Sequence, residues 1–295
     1  MLVSVIIPTY NHARFLPDAI GSAKNQDHPH VEIIVVDDGS TDCTPSIMHS
    51  MEGVTYIRQE NAGLSAARNT GFANSTGQFV VFLDADDLLY PTALSSNLHF
   101  LENDTQLAFV SGCHNMIDVE GFITDNSSNN VTEPYYTELL RRNYIGMNGA
   151  VMYTRKTIEE IPFDTSLRAC EDYDQYLRTT RHFKVKHHHG KIAAYRIHET
   201  NMSSDPALML AEVTKVLSRQ KQLLRSVEEK QAFEEGMQNW KGKYLPKLYE
   251  SIFERKTGSE LPDKYLLLIK YWFPLLKIFV RRRLAFKPGL SLMHL

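Results

Sequence analysis

The chain has 295 residues, of which 43% are hydrophobic and 23% charged, a composition typical of a globular protein that buries a substantial core. Its formal net charge of −3 provides no general basic field, which argues against nucleic acid as a partner. The three cysteines, Cys43, Cys113 and Cys170, form no C-x-x-C pair, so the sequence indicates a reducing compartment and neither a disulfide framework nor a zinc site.

Short β-rich runs alternate with helical patterns in the first part of the chain. Strands are predicted at residues 3–7, 33–36, 53–57, 79–83 and 107–112. Helices are predicted between them at residues 14–25, 64–73 and 91–101. Because the strands are almost continuously apolar, the pattern predicts an α/β fold with a Rossmann-like, mostly parallel sheet flanked by helices. Ligands of such sheets bind beyond the carboxyl ends of the strands.

The second half of the chain has a looser pattern. Further strands are predicted at residues 150–153, 183–186 and 192–196, and a helix at 171–181. Residues 206–256 have helical patterns with many charges, most clearly at 208–227. The sequence therefore predicts a catalytic domain over residues 1–205 and a helical C-terminal extension over residues 206–295.

Polar residues collect where the predicted strands end, at residues 8–11, 37–42 and 84–87. Asp84 and Asp86 are two positions apart, so both side chains can point to one face of the strand end. Two converging carboxylates repel each other unless a cation lies beside them, and such oxygen ligands favour Mg²⁺ or Mn²⁺. Aspartates after strands also serve as turn formers and helix caps, but three clusters at strand ends favour a ligand site.

Four segments together resemble the inverting, GT-A-type family-2 glycosyltransferases, in the order that this family has them. They are SVIIPTYN at 4–11, VDDGSTD at 36–42, NAGLSAARNTG at 61–71 and FLDADD at 82–87. The resemblance is close over residues 1–115 and continues more loosely to residue 205. It implies a GT-A fold for this part of the chain.

The same resemblance implies roles in binding the donor nucleotide. Pro8, Tyr10 and Asp38 would line the pocket of the base, with Asp38 accepting from a base N–H. Arg68 would approach the base or the diphosphate, and the alternative for it is a solvated charge on a helix face. These four residues are the expected contacts of a nucleotide-sugar donor.

The resemblance also implies a metal site for Mn²⁺ or Mg²⁺. Asp86 would be the direct ligand, and Asp84 would contact the ribose or a metal-bound water. The segment after the last predicted strand resembles the family's Arg-x-His-x-x-x-x-Ser pattern, so that His198 would reach the metal or the diphosphate. Arg196 or Ser203 would contact phosphate. A lone histidine is more often structural, and this alternative stays open for His198.

Residues 169–178 resemble the family's Glu-Asp motif at the start of a helix below the acceptor site. Inverting transfer needs a base that takes the proton of the acceptor hydroxyl, and the motif assigns this role to Asp172. Glu171 is the second candidate and lies with the substrate-binding residues, whereas Asp174 is expected on the helix surface. The alternative is that acidic residues favour a helix N-terminus because of its dipole.

These assignments predict a metal-dependent inverting glycosyltransferase. It would move a sugar from a nucleoside-diphosphate sugar, UDP being the first choice, to a hydroxyl of a saccharide or lipid-linked acceptor in surface polysaccharide biosynthesis. Acceptor specificity is expected from residues 115–165, with Asn148 and Gly149 as candidates. The alternatives are a degenerate sugar-nucleotide-binding transferase fold and a nucleotidyltransferase, although the latter would usually carry a glycine-rich phosphate loop after the first strand.

The last part of the sequence predicts a contact with a membrane surface. Residues 265–280 are apolar and aromatic with interspersed lysines, and Arg281–Arg283 follow, which fits helices lying in a membrane interface. The alternative is a helix packed on the catalytic domain. The N-terminus shows no signal-peptide pattern and no stretch is long enough for a standard transmembrane helix, so we expect a cytoplasmic enzyme that is peripheral at the inner face of the membrane.

One histidine run has no place in this assignment. His187–His189 resembles a metal-binding tract, but it stands at the end of a predicted strand. The sequence alone therefore favours a structural or incidental role for it.

Overall fold

A computed structural model describes residues 1–125, 131–253 and Tyr271. Its strands are β1 (Val3–Thr9), β2 (Val31–Asp37), β3 (Thr55–Arg58), β4 (Phe79–Phe82), β5 (Leu88–Leu89), β6 (Leu107–Ile117), β7 (Ile123–Asp125), β8 (Val151–Thr154) and β9 (Lys184–Arg196). Its helices are α1 (Leu16–Lys24), α2 (Thr44–Met48), α3 (Leu64–Ala73), α4 (Ala93–Asn103), α5 (Tyr135–Arg141), α6 (Arg155–Glu160), α7 (Glu171–His182), α8 (Pro206–Gln220) and α9 (Val227–Phe253).

The strands form one sheet in the order β3-β2-β1-β4-β8-β6-β9-β5, with β7 added beside β6. Strands β1 to β4 run parallel to one another, as do β6 and β9. Strand β8 lies antiparallel between β4 and β6, so the sheet is mixed beyond its parallel N-terminal half. The predicted α/β fold is confirmed.

Both faces of the sheet are covered, because successive residues of the central strands enter two different cores. Ile6 and Phe82 belong to the core that also contains side chains of α3, α5, α7, α8 and α9. Val5 and Val81 belong to the opposite core, with side chains of α1 and α4. Burial on both faces explains why apolar residues predominate on both sides of these strands.

The second half differs from the sequence prediction in several places. Strand β9 is one continuous strand where two were expected, because its central Lys and His residues hide the strand pattern while its register against β6 shifts. Strand β7 and helices α5 and α6 were not predicted. The helix expected at 208–227 ends at Gln220 instead, and a new one begins after Ser226, whose hydroxyl accepts from the backbone N–H of Glu229 at 3.0 Å. Ser226 and Glu229 have the Ser-x-x-Glu spacing of a capping box, although the Glu229 carboxylate accepts from the backbone N–H of Arg225, and this helix-start signal is one that the periodicity alone does not show.

Helices α8 and α9 pack directly on the sheet-bearing part of the chain. Val216 and Phe233 lie in the same core as Phe82, and Arg141 of α5 pairs with Glu235 of α9 at 2.9 Å. The division into a catalytic domain and a helical extension at residues 205 and 206 stays a prediction. The predicted membrane-contacting tail lies outside the described residues except for Tyr271. No helix in the described ranges combines the length and apolar character that crossing a bilayer requires.

Candidate active site

The loops that follow β1 and β2 are bound to each other beyond the carboxyl ends of these strands. The side-chain oxygen of Asn11 accepts from the backbone N–H of Thr41 at 2.7 Å, and the Asn11 N–H donates to Ser40 Oγ at 2.9 Å. Asn11 has a φ of 57°, a left-handed conformation that asparagine tolerates better than most residues. The first two sequence motifs therefore meet in space, at the edge of the sheet where ligands were expected.

A cluster of possible metal ligands lies beside these loops. Oδ2 of Asp86, after β4, is 2.9 Å from Nε2 of His198, after β9. His12 completes the group, and the ligand atoms of the three residues all lie within 4.8 Å of one another. The ring of Phe15 stacks on His198 at 4.9 Å. The structure thus brings together both predicted metal ligands, Asp86 and His198.

His12 is a member of this cluster that the sequence reasoning missed. It directly follows the motif that ends at Asn11, but no periodicity or family pattern in our prediction pointed to it. Its ring lies 5.8 Å from that of His198. Its place next to the strand-end motif was the signal that could have found it.

The geometry and charge of the cluster fit a divalent cation. Two ligands at about 2.1 Å from an octahedral ion lie roughly 3.0 Å apart, close to the 2.9 Å between Asp86 and His198. The buried Asp87 stands next to them, and its Oδ2 has no hydrogen-bond partner among the described residues. Burial, together with the neighbouring Asp86 and Asp84, raises the pKa of Asp87 well above its usual range. Such a concentration of carboxylates is relieved by a cation, and two imidazoles in the set favour a transition ion such as Mn²⁺ over Mg²⁺.

The cluster opens into a cleft of about 790 Å³. The cleft is lined by Asn11, His12, Arg14, Phe15, Val119, Ile197, His198, Glu199 and Thr200. Arg14 is exposed, and its guanidinium lies 5.1 Å from the Phe15 ring. Arg14 therefore places a positive charge in the cleft, beside the cluster of possible metal ligands.

Arg196 does not occupy the phosphate-contacting position that the sequence suggested. Only 2% of it is exposed, and its guanidinium donates to the backbone oxygens of Asp86 and Val119, each at 2.9 Å. Its backbone N–H donates to Asp87 Oδ1 at 2.9 Å. Arg196 thus holds the loop after β4 in place, and it is too buried to contact a phosphate. Ser203 is exposed, and its hydroxyl lies 3.0 Å from that of Tyr195.

Arg68 also lies elsewhere than predicted. Its guanidinium is 1% exposed and binds Asp84 Oδ1 at 2.6 Å and Glu171 Oε1 at 2.5 Å, with the Phe163 ring 5.2 Å away. It is therefore neither a solvated helix-face charge nor open to a nucleotide in this structure. Glu171 is 5% exposed and is occupied by the same ion pair. Arg68 links the strand-end motif to the start of α7.

Asp172 lies in the first turn of α7 and is partly exposed. Its Oδ1 accepts from the Tyr173 backbone N–H at 2.6 Å. Burial of the carboxyl and the charge of Glu171 raise the pKa of Asp172 to about 7, against the opposing effect of Arg68. A carboxylate with this pKa is suited to accept a proton near neutral pH.

The third acidic residue of this helix, Asp174, was expected on the helix surface, and this was wrong. It is 1% exposed and pairs with Arg178 at 2.6 Å and Arg219 at 3.2 Å. Arg219 belongs to α8, so Asp174 attaches that helix to α7. The ion pairs of the buried Asp174 give it a structural role in joining the two helices.

The three residues predicted to line the pocket of the nucleotide base, Pro8, Tyr10 and Asp38, differ in their exposure to solvent. Asp38 is 4% exposed and accepts from Gln59 Nε2 at 2.6 Å and from the backbone N–H groups of Ala62 and Gly63 at 3.0 and 2.8 Å. It therefore anchors the turn before α3. Pro8 is buried within β1, whereas Tyr10 is 46% exposed. Of the three, Tyr10 presents a large free surface.

Asn148 and Gly149, the acceptor-pocket candidates, are both buried. Asn148 accepts from the hydroxyls of Tyr153 and Tyr176 at 3.2 and 3.3 Å. Asn148 and Gly149 therefore belong to the core rather than to the surface of a pocket.

Residues 4–161 match the family model described as "Glycosyl transferase family 2", which is more than half of the chain. The chain belongs to glycosyl transferase family 2. It is 30% identical over 211 residues to the putative teichuronic acid biosynthesis glycosyltransferase TuaG of Bacillus subtilis, covering 69% of this chain and 82% of TuaG. Against three Rickettsia glycosyltransferases, however, the chain spans only 28%, 29% and 25% of their length. Residues 4–161 therefore carry a family-2 glycosyltransferase domain.

Solved structures support the fold. S. aureus TarS 1–349 in complex with UDP has a TM-score of 0.63 at 21% identity, covering 82% of this chain and 72% of TarS. The mannosyltransferase PcManGT from Pyrobaculum calidifontis, in complex with GDP-Man and Mn²⁺, has a TM-score of 0.61 at 18% identity, covering 95% and 82%. The GT-A fold implied by the sequence is confirmed.

Proposed function

We propose that this family-2 enzyme is a metal-dependent inverting glycosyltransferase that uses a nucleoside-diphosphate sugar, with UDP as the preferred nucleotide. One relationship carries the proposal: the buried Arg68 binds both Asp84, two residues before Asp86, and Glu171, the neighbour of Asp172. These ion pairs link the cluster of possible metal ligands to the start of α7. The metal and the base of an inverting transfer would therefore belong to one site.

The donor would lie over the cleft lined by His12, Arg14 and His198. Asp86 and the two histidines would hold the metal, which when bound neutralises negative charge on the departing diphosphate. Arg14 adds a positive charge on the same side, and Tyr10 offers an exposed ring for the nucleotide. TarS and PcManGT have been seen with UDP and GDP-Man, which supports a nucleotide sugar as donor.

Asp172 would act on the acceptor. Its carboxylate takes the proton of the acceptor hydroxyl as the hydroxyl oxygen attacks the anomeric carbon from the face opposite the nucleotide. The bond between that carbon and the phosphate oxygen breaks, and the nucleoside diphosphate leaves with the bonding electron pair. Arg68 and Glu171 are positioning residues here, because they fix the start of α7 and set the charge around Asp172.

The acceptor is proposed to be a saccharide or lipid-linked hydroxyl in surface polysaccharide synthesis. The similarity to TuaG, described as a putative teichuronic acid biosynthesis glycosyltransferase, supports this class. Peripheral membrane contact through residues 265–295 belongs to the same proposal, since a lipid-linked acceptor would lie at the membrane.

A donor panel tests the proposal. UDP-, GDP- and dTDP-sugars are incubated with the full chain and Mn²⁺, and released nucleoside diphosphate and pyrophosphate are measured separately. We expect slow release of nucleoside diphosphate with at least one donor, abolished by EDTA and faster once an acceptor is found. NMR of that product should show an inverted anomeric centre. Release of pyrophosphate, or a product with retained configuration, would overturn the proposed reaction.

A further inference from the structure

A second group of metal-ligating side chains lies on the β6–β9 ladder. Ser111 of β6 pairs with His187 of β9, but two residues later Cys113 pairs with Lys191. Strand β9 therefore carries extra residues at this point, which form a bulge, a feature often found where a strand redirects side chains. The bulge brings Cys113, His187 and His189 together, with all their ligand atoms within 4.8 Å of one another.

The measured separation fits a shared metal ion. Cys113 Sγ lies 3.7 Å from His187 Nε2. Zinc is bound by cysteine sulfur at about 2.3 Å and by histidine nitrogen at about 2.0–2.1 Å in tetrahedral geometry, which places the two ligand atoms roughly 3.6 Å apart. The two atoms already stand at the distance that coordination requires.

The surroundings of His187 are those of a metal ligand. Its other ring nitrogen, Nδ1, lies 2.9 Å from Ser111 Oγ, which directs Nε2 toward the sulfur. Metal-binding histidines usually have such a partner on the second nitrogen. Cys113 and His187 are 5% and 3% exposed, whereas His189 is exposed and leaves the group open to solvent. His188, in the middle of the run, turns elsewhere and binds Asn97 at 2.9 Å.

We propose that Cys113, His187 and His189 form a binding site for a divalent transition metal of borderline softness, with Zn²⁺ as the reference ion. One thiolate and two imidazoles suit such an ion better than they suit Mg²⁺. Binding releases the thiol proton of Cys113 to solvent, and three protein ligands leave a fourth position for water.

This site is separate from the transferase chemistry. On β6, Cys113 lies four residues before Ile117, which stands opposite Arg196, so about 13 Å of strand separates the group from the end of β9 that leads into the cleft. A metal here would clamp the bulge between β6 and β9. The spacing of the cysteines alone indicates no zinc site, and the fold adds the two histidines to Cys113.

Co²⁺ is the probe that tests the proposal. The full chain is stripped with a chelator and titrated with Co²⁺ under reducing conditions, and near-ultraviolet absorbance is recorded. A thiolate bound to Co²⁺ gives a charge-transfer band, which the sulfur-free cluster of His12, Asp86 and His198 cannot give. We expect this band to saturate at one ion per chain and to disappear on addition of Zn²⁺. It should be lost in Cys113→Ser and kept in Cys43→Ser, whose thiol is exposed and outside the group.

Substitution of the exposed His189 tests the same site without changing a buried side chain. His189→Gln should lower Co²⁺ affinity at this band at least tenfold, whereas His182→Gln, also exposed, should leave it unchanged. Ser111→Ala should lower the affinity by about 10–100-fold through the loss of the His187 partner. Absence of the band from the wild-type chain would overturn the proposal and leave a thiol–imidazole hydrogen bond. Unaltered affinity in His189→Gln would overturn it equally, whether or not Cys113→Ser folds.

Discussion

His198 Nε2 and Asp86 Oδ2 lie 2.9 Å apart although 112 positions separate them in the sequence. This contact joins the loop after β4 to the loop after β9. The remaining imidazole nitrogen of His198 lies 2.8 Å from the Thr200 hydroxyl, so the ring is held at both ends. Held in this way, the pair can receive a cation without a rearrangement of its side chains, which lowers the cost of binding.

The first prediction concerns Asp86. Asp86→Ala should abolish turnover and the metal-dependent part of nucleoside-diphosphate binding, because it removes the only carboxylate of the described three-ligand cluster. Calorimetric titration of UDP with and without Mn²⁺ measures this. Asp27→Ala, at an exposed position outside the cluster, is the control. Full activity of Asp86→Ala in the presence of EDTA would contradict the metal assignment.

The second prediction concerns His12, which the sequence did not reveal as a ligand. His12→Ala should raise the Mn²⁺ concentration needed for half-maximal activity by about tenfold or more, since one of the three proposed protein ligands is lost. Activation by Mg²⁺, which depends less on imidazole, should change less. Activity measured over a range of each ion checks this. Equal shifts for both ions would show that His12 acts on the donor and not on the metal.

Whether a feature of this site can be predicted from the sequence depends on how far apart in the chain the interacting residues lie. A strand-end motif pointed to Asp86, because the carboxyl ends of strands converge in any fold of this class. The resemblance of residues 169–178 to the family's Glu-Asp motif pointed to Asp172. The ion pair of Arg68 with Glu171 joins residues 103 apart, and no local pattern contains it. Because Arg68 stands in a family motif, it was predicted to face the substrate. Its guanidinium instead binds Asp84 and Glu171.

The fold was predictable to a similar extent. The first four strands and helix α3 follow from apolar runs and helical spacing. Both faces of β1 and β4 are buried, whereas the edge strand β3 is partly exposed. The middle of β9 escaped prediction because it carries His and Lys residues, which local rules assign to a loop. The length of β9 is set by pairing with β6, a tertiary effect that strand propensity does not contain.

The third prediction concerns the proposed base. Asp172→Asn keeps the shape of the side chain and removes its basicity, so turnover should fall by about 10²–10⁴-fold. The donor dissociation constant should stay nearly unchanged, because Asp172 acts on the acceptor. Steady-state kinetics with both substrates separates the two effects. If Asp172→Asn keeps its turnover and Glu171→Gln is inactive, the base is Glu171 and not Asp172.

The fourth prediction is a pH dependence. The base must be deprotonated, and its pKa is about 7, so kcat/KM for the acceptor should rise with pH and level off above pH 7. The charge of Glu171 contributes to this raised pKa. Glu171→Gln removes that charge and keeps an acceptor for Arg68, so the rise should move to lower pH. A rise that stays in place or moves to higher pH would show that Glu171 does not set the pKa of the base.

The last prediction tests how α9 attaches to the rest of the chain. A Cβ added to the buried Gly236 would stand 1.9 Å from the backbone oxygen of Leu140 in α5, whereas one added to Gly242 would meet nothing within 4 Å. Gly236→Ala should therefore lower the free energy of unfolding by about 1–3 kcal/mol through overpacking. Gly242→Ala should raise it by about 0.5–1 kcal/mol, because alanine favours the helix. Urea unfolding of the two variants beside the wild-type chain measures both changes. The two substitutions share one helix and one chemistry, so equal stabilisation by both would mean that α9 does not pack on α5.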